Sequence, residues 1–183
     1  MAIREILTYP DKRLREVAAP VTDPTADEVR QLVQDLTDTM YDAPGVGLAA
    51  TQIGVPLRVA VTDTCWRSGR YEEVECNGET DHDLKVWINP EILFQSEEMA
   101  VFEEGCLSVP EVYEEVSRPA AVRIAWYDLE GNRHEADFNG FQAVALQHEF
   151  DHLNGKLFID KLSILKQKLI KKRLKKRKKM QGQ

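Results

Sequence analysis

His148-Glu149-Phe150-Asp151-His152 sets two imidazoles four residues apart, with a carboxylate beside the first. On a helix, residues i and i+4 stand one above the other, so both rings can reach a single metal ion. Glu149 can then reach a water at that ion without ligating, where hydrolysis needs a general base. The same pentapeptide also reads as two helix histidines beside a solvated glutamate, so the third ligand matters. A catalytic centre takes three protein ligands and leaves one position open. After His152 there is no further histidine, and Asp160 is the one acidic residue before a basic tail. Upstream, Cys106 lies in Glu104-Gly105-Cys106-Leu107-Ser108-Val109-Pro110. Gly105 permits close backbone approach and Pro110 stiffens the chain beyond it. A thiolate at Cys106 would complete a Cys-His-His site; alone, such a cysteine also reads as a small buried hydrophobe.

A third segment, Gly45-Val46-Gly47-Leu48-Ala49-Ala50-Thr51-Gln52-Ile53-Gly54, is rich in small residues. It is no phosphate loop, because no Lys-Ser/Thr follows the glycines. As bare sequence it reads as a tightly packed turn. Gln52 is its one uncharged polar side chain with reach, suited to donate to a developing oxyanion.

These residues need elements to carry them. Phe141, Val144, Ala145, His148 and His152 share one face of a helix over about Phe141–Leu153, which Gly155 is placed to end. An earlier helix spans about Asp27–Asp42, with Val29, Leu32, Val33, Leu36 and Met40 on its apolar face. Thr25 and Glu28 form a capping-box pattern ahead of it, and Pro44-Gly45 breaks it. Arg58–Thr62 reads as a strand, and Val86–Ile88 as another that Asn89-Pro90 stops. Ala121–Tyr127 and Arg133–Phe138 read as a hairpin over Glu130-Gly131-Asn132. Residues 63–85 read as a polar, acidic surface excursion with Gly69 and Gly78. The expected fold is a single α+β domain, with antiparallel or mixed sheets around the central H-E-x-x-H helix and a C-terminal helix added.

At 183 residues and 43% hydrophobic, the chain suits one buried core. Nothing approaches the apolar length of a membrane span, and the N-terminus has no apolar signal core. A cytoplasmic location is expected. Three cysteines, Cys65, Cys76 and Cys106, argue against a disulfide framework. Cys65 and Cys76 read as incidental residues of the excursion, with pairing or a second metal as alternatives. The net charge of -7 hides an asymmetry: ten of the 24 Lys/Arg fall in Lys166–Lys179, where no acid occurs. The 14 others face 31 acids over residues 1–165, which gives -17. The division expected is a catalytic domain at 1–165 and a basic helix or tail at 166–183. Leu162, Leu165, Leu169 and Ile170 start that helix at helical spacing.

Gly45–Gln52, Glu104–Ser108 and Gln147–His152 together resemble the peptide deformylase family (bacterial-type), whose motifs are G-x-G-L-A-A-x-Q, E-G-C-L-S and Q-H-E-x-D-H in this order. The resemblance extends to Tyr9-Pro10-Asp11, Ile88-Asn89-Pro90 and Gly155-Lys156-Leu157-Phe158, and covers the chain to about Lys166. It implies a metal-dependent hydrolase that removes the formyl group from the N-terminal formyl-methionine of nascent polypeptides. Cys106, His148 and His152 would hold one ion, Fe²⁺, with Zn²⁺ or Ni²⁺ able to substitute, and Glu149 would move the proton. The Leu107 N–H and the Gln52 side chain would stabilise the oxyanion. Val46 and Gly47 would meet the substrate backbone, while Phe102, Phe141, Val144 and Ala145 would shape a methionine pocket. Two features depart from compact family members: the long 64–85 excursion, and Tyr113 where many relatives carry a basic residue. Because such enzymes act on chains leaving the ribosome, Lys166–Lys179 has a candidate partner in ribosomal RNA. The rival readings are an H-E-x-x-H metallopeptidase cutting internal bonds, and a catalytically silent RNA-binding or ribosome-binding module.

Overall fold

Apolar residues at helical spacing give α1 (Asp27–Asp42) one buried face, made by Val29, Leu32, Val33, Leu36 and Met40. That face packs on Leu48, Val59, Val61 and Ile88. The computed structural model describes residues 3–66 and 82–181. A five-stranded antiparallel sheet runs in the order β1 (Gly47–Ala49), β2 (Val59–Thr62), β3 (Lys85–Gln95), β6 (Ala121–Tyr127), β7 (Arg133–Asn139). A separate hairpin pairs β4 (Met99–Cys106) with β5 (Val109–Pro119). The last helices are α2 (Gly140–Leu153) and α3 (Ile164–Gln181).

Eleven of the 14 residues of α2 are buried, so it is a core helix and not a surface one. Ala143, Leu146, Phe150 and Leu153 pack on Trp87, Val122 and Ile124 of the sheet. Its other side faces the β4–β5 hairpin, whose Val109, Val112 and Val116 cluster with Leu157, Phe158, Ile159 and Leu174 of α3. The H-E-x-x-H helix is therefore held between two sheets, in a single α+β domain.

Three expectations need correction. Thr25 does not cap α1: the N-cap is Ala26, and the Thr25 hydroxyl donates to Asp23 at 2.7 Å, which draws it into a turn. Asn89-Pro90 does not stop β3. Asn89 takes φ 50° in a bulge, its backbone N–H still donates to the Arg58 carbonyl at 2.8 Å, and its side-chain amide exchanges hydrogen bonds with the Val21 backbone at 2.7 and 2.8 Å, which anchors the bulge. The expected C-terminal helix is present as α3, docked through Ile170 and Leu174, with Leu165 and Leu169 exposed. Cys65 is not incidental, because it is disulfide-bonded, whereas Cys106 is free. Cys76, Gly69 and Gly78 lie outside the described residues.

Candidate metal centre and active site

Cys106 ends β4 at a register shift, which turns its side chain toward α2. Its Sγ lies 3.2 Å from His152 Nε2, which lies 3.2 Å from His148 Nε2. The three ligand atoms fall within 4.8 Å of one another. Two nitrogens about 2.0 Å from a tetrahedral ion would stand about 3.3 Å apart, so this spacing suits a shared cation. The donor set fits a divalent ion on chemistry as well, since neutral imidazole and thiolate both ligate zinc, iron and nickel.

The ring of His148 is oriented from behind. Its Nδ1 lies 2.8 Å from Glu104 Oε2, which directs Nε2 at the ligand cluster. Arg118, only 1% exposed, donates from Nη2 to Glu104 at 2.9 Å and from Nη1 to Asp151 at 2.7 Å. Burial would raise the Glu104 carboxyl, but hydrogen bonds from Arg118 and His148 outweigh it and bring the pKa down to about 2. Burial also opposes charge on His148, yet its bonds to Cys106 and Glu104 hold it well above the ordinary imidazole value. His152, buried beside it and in the field of His148 and Arg118, is pushed well below that value. Glu104 and Arg118 were not picked out by sequence reasoning. Glu104 stood in a motif already noticed, while Arg118 carries no local signal and reaches Glu104 only because β4 pairs with β5.

Glu149 is 5% exposed, and its Oε2 has no hydrogen-bond partner among the described residues. Burial lifts its pKa to about 7. Gly47 is what leaves room for it: a Cβ there would stand 2.8 Å from the Glu149 carboxyl carbon. Gly105 is confined in the same way by the Tyr113 ring, 2.6 Å from where its Cβ would be. The Gln52 amide is aimed by two bonds, accepting from Ala49 N at 2.9 Å and donating to Ser108 Oγ at 3.1 Å, with Cys106 Sγ 3.7 Å from its Nε2.

Cys106, His148, Glu149, Gln52, Glu104 and Gly47 border one cavity of about 310 Å³. Val46, Gly47, Gln52, Cys106, Leu107, Phe141, Val144, Ala145, His148 and Glu149 line it. His152 sits behind the other two ligand residues. Phe102 is not on the lining; its ring lies 6.0 Å from that of Phe141 and backs it from outside. Pro110, Glu111 and Tyr113 also line the cavity; Pro110 is expected to stiffen the chain after Cys106 and Tyr113 to stand where many relatives carry a basic residue, while Glu111 has no role assigned from sequence.

Two histidines from successive turns of a buried helix, a free cysteine sulfur beside them and an unligated carboxylate facing the same cavity define a metal-dependent hydrolase site. The polypeptide deformylase family model matches residues 3–168. The peptide deformylase of Novosphingobium aromaticivorans is 52% identical over 184 residues, covering 96% of this chain and 97% of that protein. A crystal structure of a peptide deformylase from Legionella pneumophila matches at TM-score 0.83 and 43% identity, over 100% of this chain and 99% of that one. A class I type b peptide deformylase from Acinetobacter baumannii, solved with Met-Ala-Ser bound, matches at TM-score 0.79 and 35% identity, over 88% and 99% of the two chains. The chain belongs to the peptide deformylase family.

Proposed function

We propose that the chain carries out its family's hydrolysis, releasing formate from the N-terminal formyl-methionine of nascent polypeptides, with Glu149 moving the proton. The observation that carries this reading is a buried carboxylate of pKa about 7, facing the cavity beside three convergent ligand groups. Such a group is poised to accept and return a proton near neutral pH. Water attacks the formyl carbon while Glu149 takes its proton. The carbonyl electron pair shifts to oxygen, where Gln52 Nε2–H and the Leu107 N–H donate to it. Glu149 then protonates the departing amine, the C–N bond breaks, and formate leaves. A divalent ion held by Cys106, His148 and His152 would supply Lewis acidity to this chemistry. Fe²⁺ is the ion proposed, with Zn²⁺ or Ni²⁺ able to replace it.

The substrate's extended backbone lies along Val46 and Gly47, and its methionine side chain enters among Phe141, Val144 and Ala145, with Phe102 behind. The tripeptide Met-Ala-Ser bound to the Acinetobacter baumannii relative is the kind of product this predicts. An internal-peptide metallopeptidase gains no support, since no third ligand follows His152.

The test is formate release from an N-formyl-methionyl peptide by protein purified without oxygen, with metal content measured. Release that collapses in Glu149→Ala while the ion stays bound supports the reading. Silence from the fully metallated wild type overturns it.

We further propose a cytoplasmic location, where formylated chains are made, and a ribosomal RNA contact through residues 166–183. No described helix is long and apolar enough to cross a membrane. On α3, Lys168, Lys172, Lys175, Lys176, Lys178 and Lys179 are exposed. Reversing four of those charges should abolish salt-sensitive co-sedimentation with ribosomes; unchanged binding would end the RNA proposal.

A further inference from the structure

The basic helix has a second face, which is turned on the cavity's mouth. Arg173 Nη2 donates to the Glu111 carbonyl at 2.6 Å, and Arg177, one turn on, ion-pairs with the Glu111 carboxylate. Between them Leu174 is 3% exposed and packs with Val109 and Val112, the strand that carries Glu111. Lys166 pairs with Glu114 at 2.6 Å, so the same helix grips this strand at a third point. Glu111 lines the cavity beside Pro110 and takes φ 60°, a conformation that residues with a side chain rarely adopt.

We propose that Arg173 and Arg177 are positioning residues for the cleft, holding Glu111 in its left-handed conformation so that the Pro110–Tyr113 wall keeps its shape against the substrate. The inference rests on the deformylase reading above. Without the two arginines, Glu111 relaxes toward extended backbone, and the wall beyond the methionine pocket shifts. Cys106 packs against the Val109–Leu174 cluster, but it makes its ligand contact to His152 and bonds to neither arginine nor Glu111, so binding of longer peptides suffers more than the chemical step. The helix is thus a strut for the wall on one face and carries free lysines on the other.

The experiment compares kcat and KM for a formyl-methionyl tripeptide in wild type, Arg173→Ala/Arg177→Ala, Glu111→Gly, and the three changes together. The arginine pair is expected to raise KM about three- to fivefold with kcat kept within about twofold, the scale of exposed charge contacts. Glu111→Gly should restore KM in the arginine-deleted background, because glycine adopts positive φ unaided. In wild type, added salt should raise KM, and in Glu111→Gly it should not, since the ion pair screened is the one removed. Lys175→Ala/Lys176→Ala on the exposed face should behave as wild type. A KM rise that Glu111→Gly fails to reverse, or no rise at all, overturns the inference. Because kcat of the wild type is read in the same assay, loss of all activity there would instead strike the deformylase reading.

Discussion

Gly47→Ala tests whether the fold holds Glu149 in place by contact. The added Cβ would stand 2.8 Å from the Glu149 carboxyl carbon and 2.9 Å from its Cγ. Carbon atoms pack at about 3.5–4.0 Å, so something must move by roughly 0.7 Å or more. The backbone at Gly47 has little freedom, because it pairs with Thr62 of β2 and leads into fully buried Leu48. The α2 backbone has as little, being wedged between sheet and hairpin. The carboxylate therefore swings, and a displacement near 1 Å is worth about 10²-fold in rate, or about 2.7 kcal/mol. The ligand residues do not touch Gly47, so metal content should stay at the wild-type level. Formate release at saturating substrate, with metal measured on the same sample, reads the effect. Gly45→Ala is the control: its Cβ meets Leu107 Cδ1 at 2.9 Å, the free end of a flexible side chain, and should lower kcat no more than about threefold. A metal-loaded Gly47→Ala enzyme within threefold of wild type would refute the positioning argument.

Arg118→Met leaves Glu104 and Asp151 without their buried cation, which should destabilise the protein by about 3–5 kcal/mol and loosen metal binding by freeing His148. Thermal unfolding and metal titration check this, and an unchanged melting temperature would sink it. Glu149 works as a base only when ionised, so kcat/KM should fall as the pH drops through its pKa. A bound cation favours the carboxylate, so the acid limb should lie at or below the value of about 7 set by burial; a profile flat from about pH 5 to 8 would contradict this. Trp66→Phe removes the bond from Trp66 Nε1 to the Gly45 carbonyl (2.9 Å) and should raise KM several-fold at about 1 kcal/mol, with kcat held; a matching fall in kcat would place Trp66 in a different role. Chelation should lower the melting temperature by roughly 5–10 °C, since an ion present at 100 times its Kd stabilises by about 2.7 kcal/mol; no shift after verified metal loss would mean that the trio does not hold the ion.

The reach of sequence reasoning followed the range of the interactions. Helical periodicity located α1 and α2 because each buries residues of its own spacing, and the β6–β7 hairpin followed from alternation around a glycine turn. The ligand trio was legible because two of its members lie one turn apart and the third sits in a recognisable motif. The β4–β5 hairpin was missed: its strands pair over 11 and eight residues, but the outer faces carry Met99, Val101 and Tyr113, which blur the alternation of buried and exposed positions. Missing that hairpin hid Arg118, whose partner Glu104 lies on the opposite strand. Phe102, on the same unrecognised hairpin, lies off the cavity lining with its ring 6.0 Å from that of Phe141. Asn89-Pro90 failed as a stop because a bulge absorbs the pair, pinned by the Asn89 side-chain amide to the backbone of Val21, 68 residues away.

The charge arrangement around α2 explains why such a helix tolerates so much buried polarity. A helix with Gln147, His148, Glu149 and His152 all buried would ordinarily unfold or expose that face. Gln147 is satisfied by the Pro119 and Ala143 carbonyls, each at 3.0 Å. His148 is satisfied by Glu104, and Glu104 by Arg118. Arg118 in turn bridges Glu104 and Asp151, and Asp151 is shared with Lys161 at 3.6 Å, so the two carboxylates behind the site are each paired. In front of that paired network the ligand atoms of Cys106, His148 and His152 converge on one point. Glu149 Oε2 and His152 Nδ1 are the buried atoms of this helix left without a partner among the described residues, and burial lifts the Glu149 pKa to about 7. A carboxylate kept short of partners beside a ligand cluster is available for proton transfer, and Gly47, having no Cβ, leaves the room that its Cγ and carboxyl carbon occupy.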